Sequence, residues 1–129
     1  MINRPTINTA LSALDMAVLY PHLRPKTRFL LKSPHMIVGA CCVQLYLPGN
    51  NSLKGKRGRL KPILARLPRE FNLAAAETDL QDVWQSAEIG LVTVANDAVL
   101  VRGLLEKSVE WIELHAPDVQ IVNYKIELR

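Results

Sequence analysis

The feature that most constrains the fold is the order in which strand and helix patterns alternate between residues 36 and 129. The apolar run MIVGACCVQLYL, residues 36–47, predicts a central strand that is buried on both faces. Turn residues PGNN follow it, and Ser52 is then a good N-cap for a helix that continues to about Leu67. The first part of the pattern therefore predicts a strand, a tight turn and a helix.

The predicted first helix contains residues that helices disfavour. Gly55 and Gly58 each lower helix propensity, and Pro62 lacks the backbone N–H that would bond to Gly58. We therefore expect a helix that is kinked or loose in its first turns. Tertiary packing, rather than propensity, must hold it.

The second part of the pattern repeats the alternation. Residues 72–79 and 86–96 predict two strands, joined by a connection at 80–85. A second helix is predicted from Ala98 to about His115, and residues 119–128 predict a last strand. One face of that strand would carry Val122, Tyr124, Ile126 and Leu128.

The resulting order is β-α-β-β-α-β. Two right-handed crossovers onto one sheet predict an α+β, ferredoxin-like sandwich, with a four-stranded antiparallel sheet and two helices on one face. We assign residues 36–129 to this domain.

Residues 1–35 differ from the rest because prolines interrupt them and only residues 9–20 suit a short helix. Three interpretations remain open: a flexible extension, an Arg-rich targeting peptide, or sequence upstream of a true start at Met36. Each predicts that this segment contributes little to the core.

Composition restricts the class of protein. With 129 residues, 49% of them hydrophobic and 22% charged, the chain fits one soluble globular domain without a membrane span. Cys41 and Cys42 are adjacent and point to opposite faces of a strand, so they are poorly placed to form a disulfide. We expect two reduced thiols, a cytoplasmic protein, and no metal or other cofactor.

Positive charge is concentrated in the predicted first helix. Residues 54–69 contain seven Lys or Arg and no acidic residue. Solvated helix faces usually mix both signs, so this run is either a plain solvated face or a surface for phosphates. The candidate RNA-binding residues are Lys54, Lys56, Arg57, Arg59 and Lys61, and Gly55 and Gly58 would let backbone amides approach a phosphate.

The central connection carries a dense polar motif. Glu77 and Asp79 are two residues apart on a strand and should share a face, where a carboxylate pair could do acid–base work or hold a divalent cation. No nucleophile with a base, phosphate loop or metal-ligand cluster accompanies them, so we expect structural or interface roles and no catalytic residue. Trp84 is expected to be buried, in the monomer or in a dimer, although an exposed indole could stack on a base. The motif or interface residues are Glu77, Asp79, Gln81, Asp82, Trp84 and Gln85.

Three segments resemble the YlxP-like family, a bacterial domain of unknown function: MIVG at 36–39, LPGNNSLKGKR at 47–57 and AETDLQDVWQSAEIG at 76–90. The resemblance spans residues 36–129 and departs from the family pattern at Gly55, Gly58 and Pro62. It implies a ferredoxin-like fold and a genomic context of translation and ribosome-maturation genes. It implies no catalytic residue.

These observations predict a small protein that is not an enzyme. It would associate with ribosomal RNA, or with a ribosome-assembly intermediate, through the basic first helix. The alternative is a dimeric protein-interaction or small-ligand-sensing module with no nucleic-acid role.

Overall fold

A computed structural model of the chain describes residues 35–129. The predictions for residues 1–34, including the short helix at 9–20, lie outside these residues. The described residues form one compact unit.

The element order is the predicted β-α-β-β-α-β. The elements are β1 (Ile37–Tyr46), α1 (Leu53–Glu70), β2 (Ala74–Asp79), β3 (Ser86–Ala95), α2 (Ala98–His115) and β4 (Gln120–Leu128). They form a four-stranded sheet in the order β2-β3-β1-β4, and every neighbouring pair is antiparallel. The α+β, ferredoxin-like prediction is confirmed.

The first helix forms in spite of its glycines and prolines. The hydroxyl of Ser52 accepts a hydrogen bond from the Gly55 N–H, as an N-cap should, and α1 continues through Pro62 and Pro68 to Glu70. Pro62 is exposed, so water can reach the Gly58 carbonyl that it leaves without a helical partner. The inward stripe of Leu60, Ile63 and Leu67 is buried and anchors the helix to the sheet.

The core lies between the sheet and the two helices. The core includes Val43 of β1, Ile89 of β3 and Leu105 of α2, and each of these has an exposed fraction of 0%. Burying each such side chain contributes about 1.5–3 kcal/mol. The expected burial of β1 on both faces is wrong, because Cys42 and Gln44 are exposed on the face that carries no helix.

The last strand departs from simple alternation. Its register with β1 shifts between Gln44 and Leu45, so that Ile121, rather than Val122, lies opposite the buried Leu45. The extra residue of this β-bulge, Val122, is 65% exposed. The prediction placed Val122 on one face with Ile126 and Leu128; those two pack against the core, whereas Val122 does not.

Within residues 35–129, neither helix is both long enough and apolar enough to cross a membrane.

Candidate functional site

Lys56 is the member of the basic run that departs furthest from the prediction. It is among the largest fully buried side chains, with an exposed fraction of 1%. A phosphate cannot reach it there, so its assignment as an RNA-binding residue is wrong. The reason is its position on α1, where it continues the stripe of buried residues formed by Leu60, Ile63 and Leu67.

The buried ammonium of Lys56 has three partners. Its Nζ lies 2.9 Å from Oε2 of Glu77 and donates hydrogen bonds to the carbonyls of Leu80 and Val83, at 2.5 and 2.9 Å. The contact with Glu77 is an ion pair without a hydrogen bond, since Glu77 Oε2 has no hydrogen-bond partner among residues 35–129. Two carbonyls and one carboxylate therefore compensate the buried charge, which would be strongly unfavourable if it were unpaired.

A β-bulge separates the two carboxylates that were expected to share a face. Glu77 lies opposite Ile89, whose side chain is buried on the helix side, whereas Asp79 lies opposite Glu88 after a register shift. The extra residue, Thr78, bonds to the Glu88 carboxylate and carbonyl. Glu77 and Asp79 therefore point to opposite faces of the sheet, and the shared-face carboxylate pair is absent.

The connection between β2 and β3, residues 80–85, is held from two directions. Asn50 Nδ2 donates to the carbonyls of Trp84 and Ser52, at 2.5 and 2.8 Å, while Lys56 binds the Leu80 and Val83 carbonyls. Leu80 has a positive φ of 62°, and Asp79 Oδ1 accepts a hydrogen bond from its N–H at 2.8 Å. Such a backbone conformation is unfavourable for leucine and persists where surrounding contacts enforce it.

Asn50 is a structural residue that the sequence prediction missed. It is 4% exposed, and its side chain joins the turn after β1 to the loop at 80–85. The available signal was its place in the PGNN turn directly before the Ser52 cap, where Asn commonly bonds to backbone.

From Gln81 to Gln85 the side chains of this loop are exposed to solvent, although its backbone is fixed. Trp84 is 53% exposed and Val83 is 43% exposed. The expected burial of Trp84 within the monomer is wrong, which leaves its burial in a dimer as a prediction. The polar motif residues Gln81, Asp82 and Gln85 are exposed as well.

The remaining cations of α1 divide between two sides of the helix. Lys54, Arg57 and Lys61 are exposed, and the ion pairs found among residues 35–129 involve none of them. Arg59 is half-buried and donates to the Pro48 carbonyl at 2.9 Å, with Asp118 close by. Three of the five predicted RNA-binding residues are thus free to meet a ligand.

The two glycines of α1 have different environments. A Cβ atom at Gly55 would come within 2.5 Å of Asn50 Oδ1, whereas a Cβ at Gly58 would meet nothing within 4 Å. Gly55 therefore makes room for Asn50, and its N–H is already used by Ser52. Its expected role in admitting a phosphate to the backbone is wrong.

A groove of about 450 Å³ runs between α1 and β2. Its lining combines apolar side chains of α1 with charged residues: Arg57, Leu60, Lys61, Leu64, Ala65 and Glu77. The groove thus has an apolar floor and two exposed cations.

Two features of the described residues bear on metal binding and on thiol chemistry. Residues 35–129 contain no group of three or more His, Cys, Asp or Glu side chains placed to hold a metal ion. Burial raises the pKa of the Cys41 thiol to about 11, and burial followed by the nearby Glu88 raises that of Cys42. Raised pKa values make thiols poor nucleophiles near neutral pH.

Comparison with known proteins places the chain in a family. Residues 38–126 match the family described as "Protein of unknown function (DUF503)". The chain belongs to this family. It is also 36% identical over 62 residues to the "Uncharacterized protein YlxP" of Bacillus subtilis (strain 168), an alignment that covers 48% of this chain and 67% of that protein. The YlxP-like resemblance is therefore confirmed.

One solved structure is similar at low identity. It is described as a C-terminal segment of the alpha subunit of aIF2 from Pyrococcus abyssi, with 16% identity and a TM-score of 0.44. The match covers 88% of this chain and 65% of that one.

Proposed function

We propose that this protein associates with ribosomal RNA, or with a ribosome-assembly intermediate, through the exposed cations of α1, and that it catalyses no reaction. The observation that carries the proposal is the cluster of Lys54, Arg57 and Lys61, which stay exposed and form no ion pair among residues 35–129. Lys and Arg bind nucleic acid by displacing counterions from phosphates. These contacts position a protein without reading sequence.

The local electrostatics favour an anion on this side of the molecule. The first turn of α1 has no acidic residue, so Lys54 adds to the positive end of the helix dipole. The cytoplasm is the compartment that suits this role and two free thiols, Cys41 and Cys42.

The test is RNA binding as a function of salt. With three phosphate contacts, the logarithm of affinity for single-stranded RNA should fall against the logarithm of salt with a slope of about −2. Lys54→Ala with Lys61→Ala should reduce that slope by about 1.4, whereas the exposed pair Arg102→Ala with Lys107→Ala on α2 should leave it unchanged. An unchanged slope in the α1 variant would leave the basic run as a solvated face.

A second candidate function rests on the exposed loop. Trp84 is 53% exposed on a backbone fixed by Asn50 and Lys56, and aromatic residues of this kind are enriched in interface cores. The alternative is therefore a homodimeric interaction module, or a small-ligand sensor, that uses this loop. Sedimentation of the parent and of Trp84→Ala tests it, since a Trp84-dependent dimer should dissociate in the variant.

A further inference from the structure

We infer that the outer edge of β2 accepts an extended acidic peptide from another protein, which would add as a fifth strand and place side chains in the groove beside α1. This inference does not rest on RNA binding, although Arg57 and Lys61 belong to both surfaces. It rests on the direction of backbone groups at the edge, on the groove, and on its charge.

The backbone of β2 offers unpaired groups at alternate residues. Leu47 N donates to Gln85 O at 2.9 Å, which makes these two a hydrogen-bonded pair of the β1–β3 ladder. Such pairs recur at every second residue in an antiparallel ladder. The backbone N–H and C=O groups of Ile89 and Leu91 therefore form their hydrogen bonds with β1. It follows that Gly90 bonds towards β2.

The partners in β2 follow from the register. Gly90 lies opposite Ala76 and Val92 opposite Ala74, so these two alanines bond towards β3. The N–H and C=O groups of Ala75 and Glu77 must then point away from the sheet. In the order β2-β3-β1-β4 of the described residues, β2 is an edge, and these groups form the template for another strand.

The two edges of the sheet differ in protection. The β4 edge carries Lys125, Glu127 and the bulge at Val122, which are devices that discourage further pairing. β2 carries charge and a bulge only in its second half, at Glu77, Thr78 and Asp79, and its first three residues are alanines. An added strand therefore meets least obstruction at residues 74–76 of β2.

The groove gives the added strand specificity. Ala75 and Glu77 face the helix side of the sheet, so inward side chains of a neighbouring strand would enter the groove between β2 and α1. Successive inward side chains are about 7 Å apart. One position can contact Leu64, and another can bring a carboxylate to Arg57 or Lys61.

Charge decides among the possible occupants. A second copy pairing through β2 would bring two α1 helices together, each with seven cations and no acid between residues 54 and 69. Residues 1–34 contain five Lys or Arg and one acid, so they also have the wrong sign. RNA has no repeating N–H and C=O groups to extend a sheet. An acidic peptide satisfies both the edge and the groove.

The experiment measures the binding of labelled peptides to the full chain by fluorescence anisotropy. The probe is TLTETLTETL, which presents leucine and glutamate on one face of a strand, and its matched control is TLTKTLTKTL. We expect the glutamate peptide to bind at least about tenfold more tightly, since each 1.4 kcal/mol changes affinity tenfold. Lys61→Glu should reduce this preference, and Lys107→Glu on α2 should not. Equal binding of both peptides to the parent would overturn the proposal.

A second comparison tests strand addition itself. Ala75→Pro removes an outward N–H that the native sheet does not use, and proline is tolerated at strand edges. This variant should lose at least about tenfold in affinity while keeping its circular dichroism spectrum, and Ala75→Ser, which keeps the N–H, should bind like the parent. If Ala75→Pro fails to fold, peptides N-methylated along one edge or the other replace it. One methylated edge must abolish binding and the other must spare it; two equal results would refute strand addition.

The outcome is separable from the proposed RNA function. Ala75→Pro leaves Lys54, Arg57 and Lys61 in place, so RNA affinity and its salt slope should match those of the parent. A competition experiment adds the lysine peptide, at equal concentration, to the parent with bound glutamate peptide. If the lysine peptide displaces the glutamate peptide, the groove does not select acidic peptides, whatever the RNA result.

Discussion

The ammonium of Lys56 and the carboxylate of Glu77 meet 2.9 Å apart between α1 and β2, where the lysine side chain is 2% exposed and the glutamate 22%. The same ammonium binds two carbonyls of the loop at 80–85. A lysine that looked like part of a phosphate-binding surface is therefore a structural link between the helix and the hairpin.

Lys56→Ala should strongly destabilise the protein. It leaves Glu77 and the carbonyls of Leu80 and Val83 without their buried partner, and loss of one member of a buried ion pair typically costs about 3–5 kcal/mol. Lys54→Ala, on the exposed side of the same helix, should change the free energy of unfolding by less than about 0.5 kcal/mol. Urea denaturation of both variants makes the measurement. Equal effects would contradict the structural role of Lys56.

The two glycines of α1 should respond in opposite directions to alanine. Gly58→Ala adds a methyl group in open space within a helix, so it should stabilise the protein by about 0.5–1 kcal/mol. Gly55→Ala would crowd Asn50 Oδ1, so we expect destabilisation and a more mobile loop at 80–85. Thermal unfolding of the pair is the test, and a stabilised Gly55→Ala would disprove the packing of Asn50 against this residue.

Trp84→Ala should leave stability almost unchanged, within about 0.5 kcal/mol, because the indole is 53% exposed. Trp111→Ala should cost about 3–5 kcal/mol, since that indole is 8% exposed and lies beneath the Arg66 guanidinium. The denaturation midpoints of the two variants test this difference. In the parent, acrylamide should quench mainly the fluorescence of Trp84, which is the component absent from Trp84→Ala. Protection of Trp84 from acrylamide at high protein concentration would instead indicate self-association.

Stability should fall in alkaline solution through Cys41. Burial raises the pKa of this thiol from 9.0 to about 11 in the folded chain. Between these two pH values the unfolded chain therefore binds fewer protons than the folded chain, and the free energy of unfolding decreases as pH rises. From about pH 8 to about pH 10.5 this contribution amounts to a loss of about 2 kcal/mol. The loss should be smaller by that amount in Cys41→Ala, as measured by urea denaturation at both pH values. Identical pH dependence in the two proteins would show that Cys41 does not titrate in this way.

The sequence by itself determined the fold. Local signals decide the element order: Ser52 and Asp97 cap the helices as their side chains predict, and α2 has its predicted bounds of Ala98 and His115. The family followed from short motifs around β1, α1 and the β2–β3 hairpin. Capping and periodicity depend on neighbours a few residues apart, so a sequence can reveal them.

Only the tertiary structure decided which polar residues meet. The burial of Lys56 depends on Glu77, Leu80 and Val83, which another element supplies, and the register shift at Thr78 reverses the face of Asp79. A β-bulge has no reliable local signature, yet one extra residue moves every later side chain of a strand to the other face. The sequence did not predict the groove beside β2 either. Its walls come from two elements, and these become neighbours only when the helix packs on the sheet.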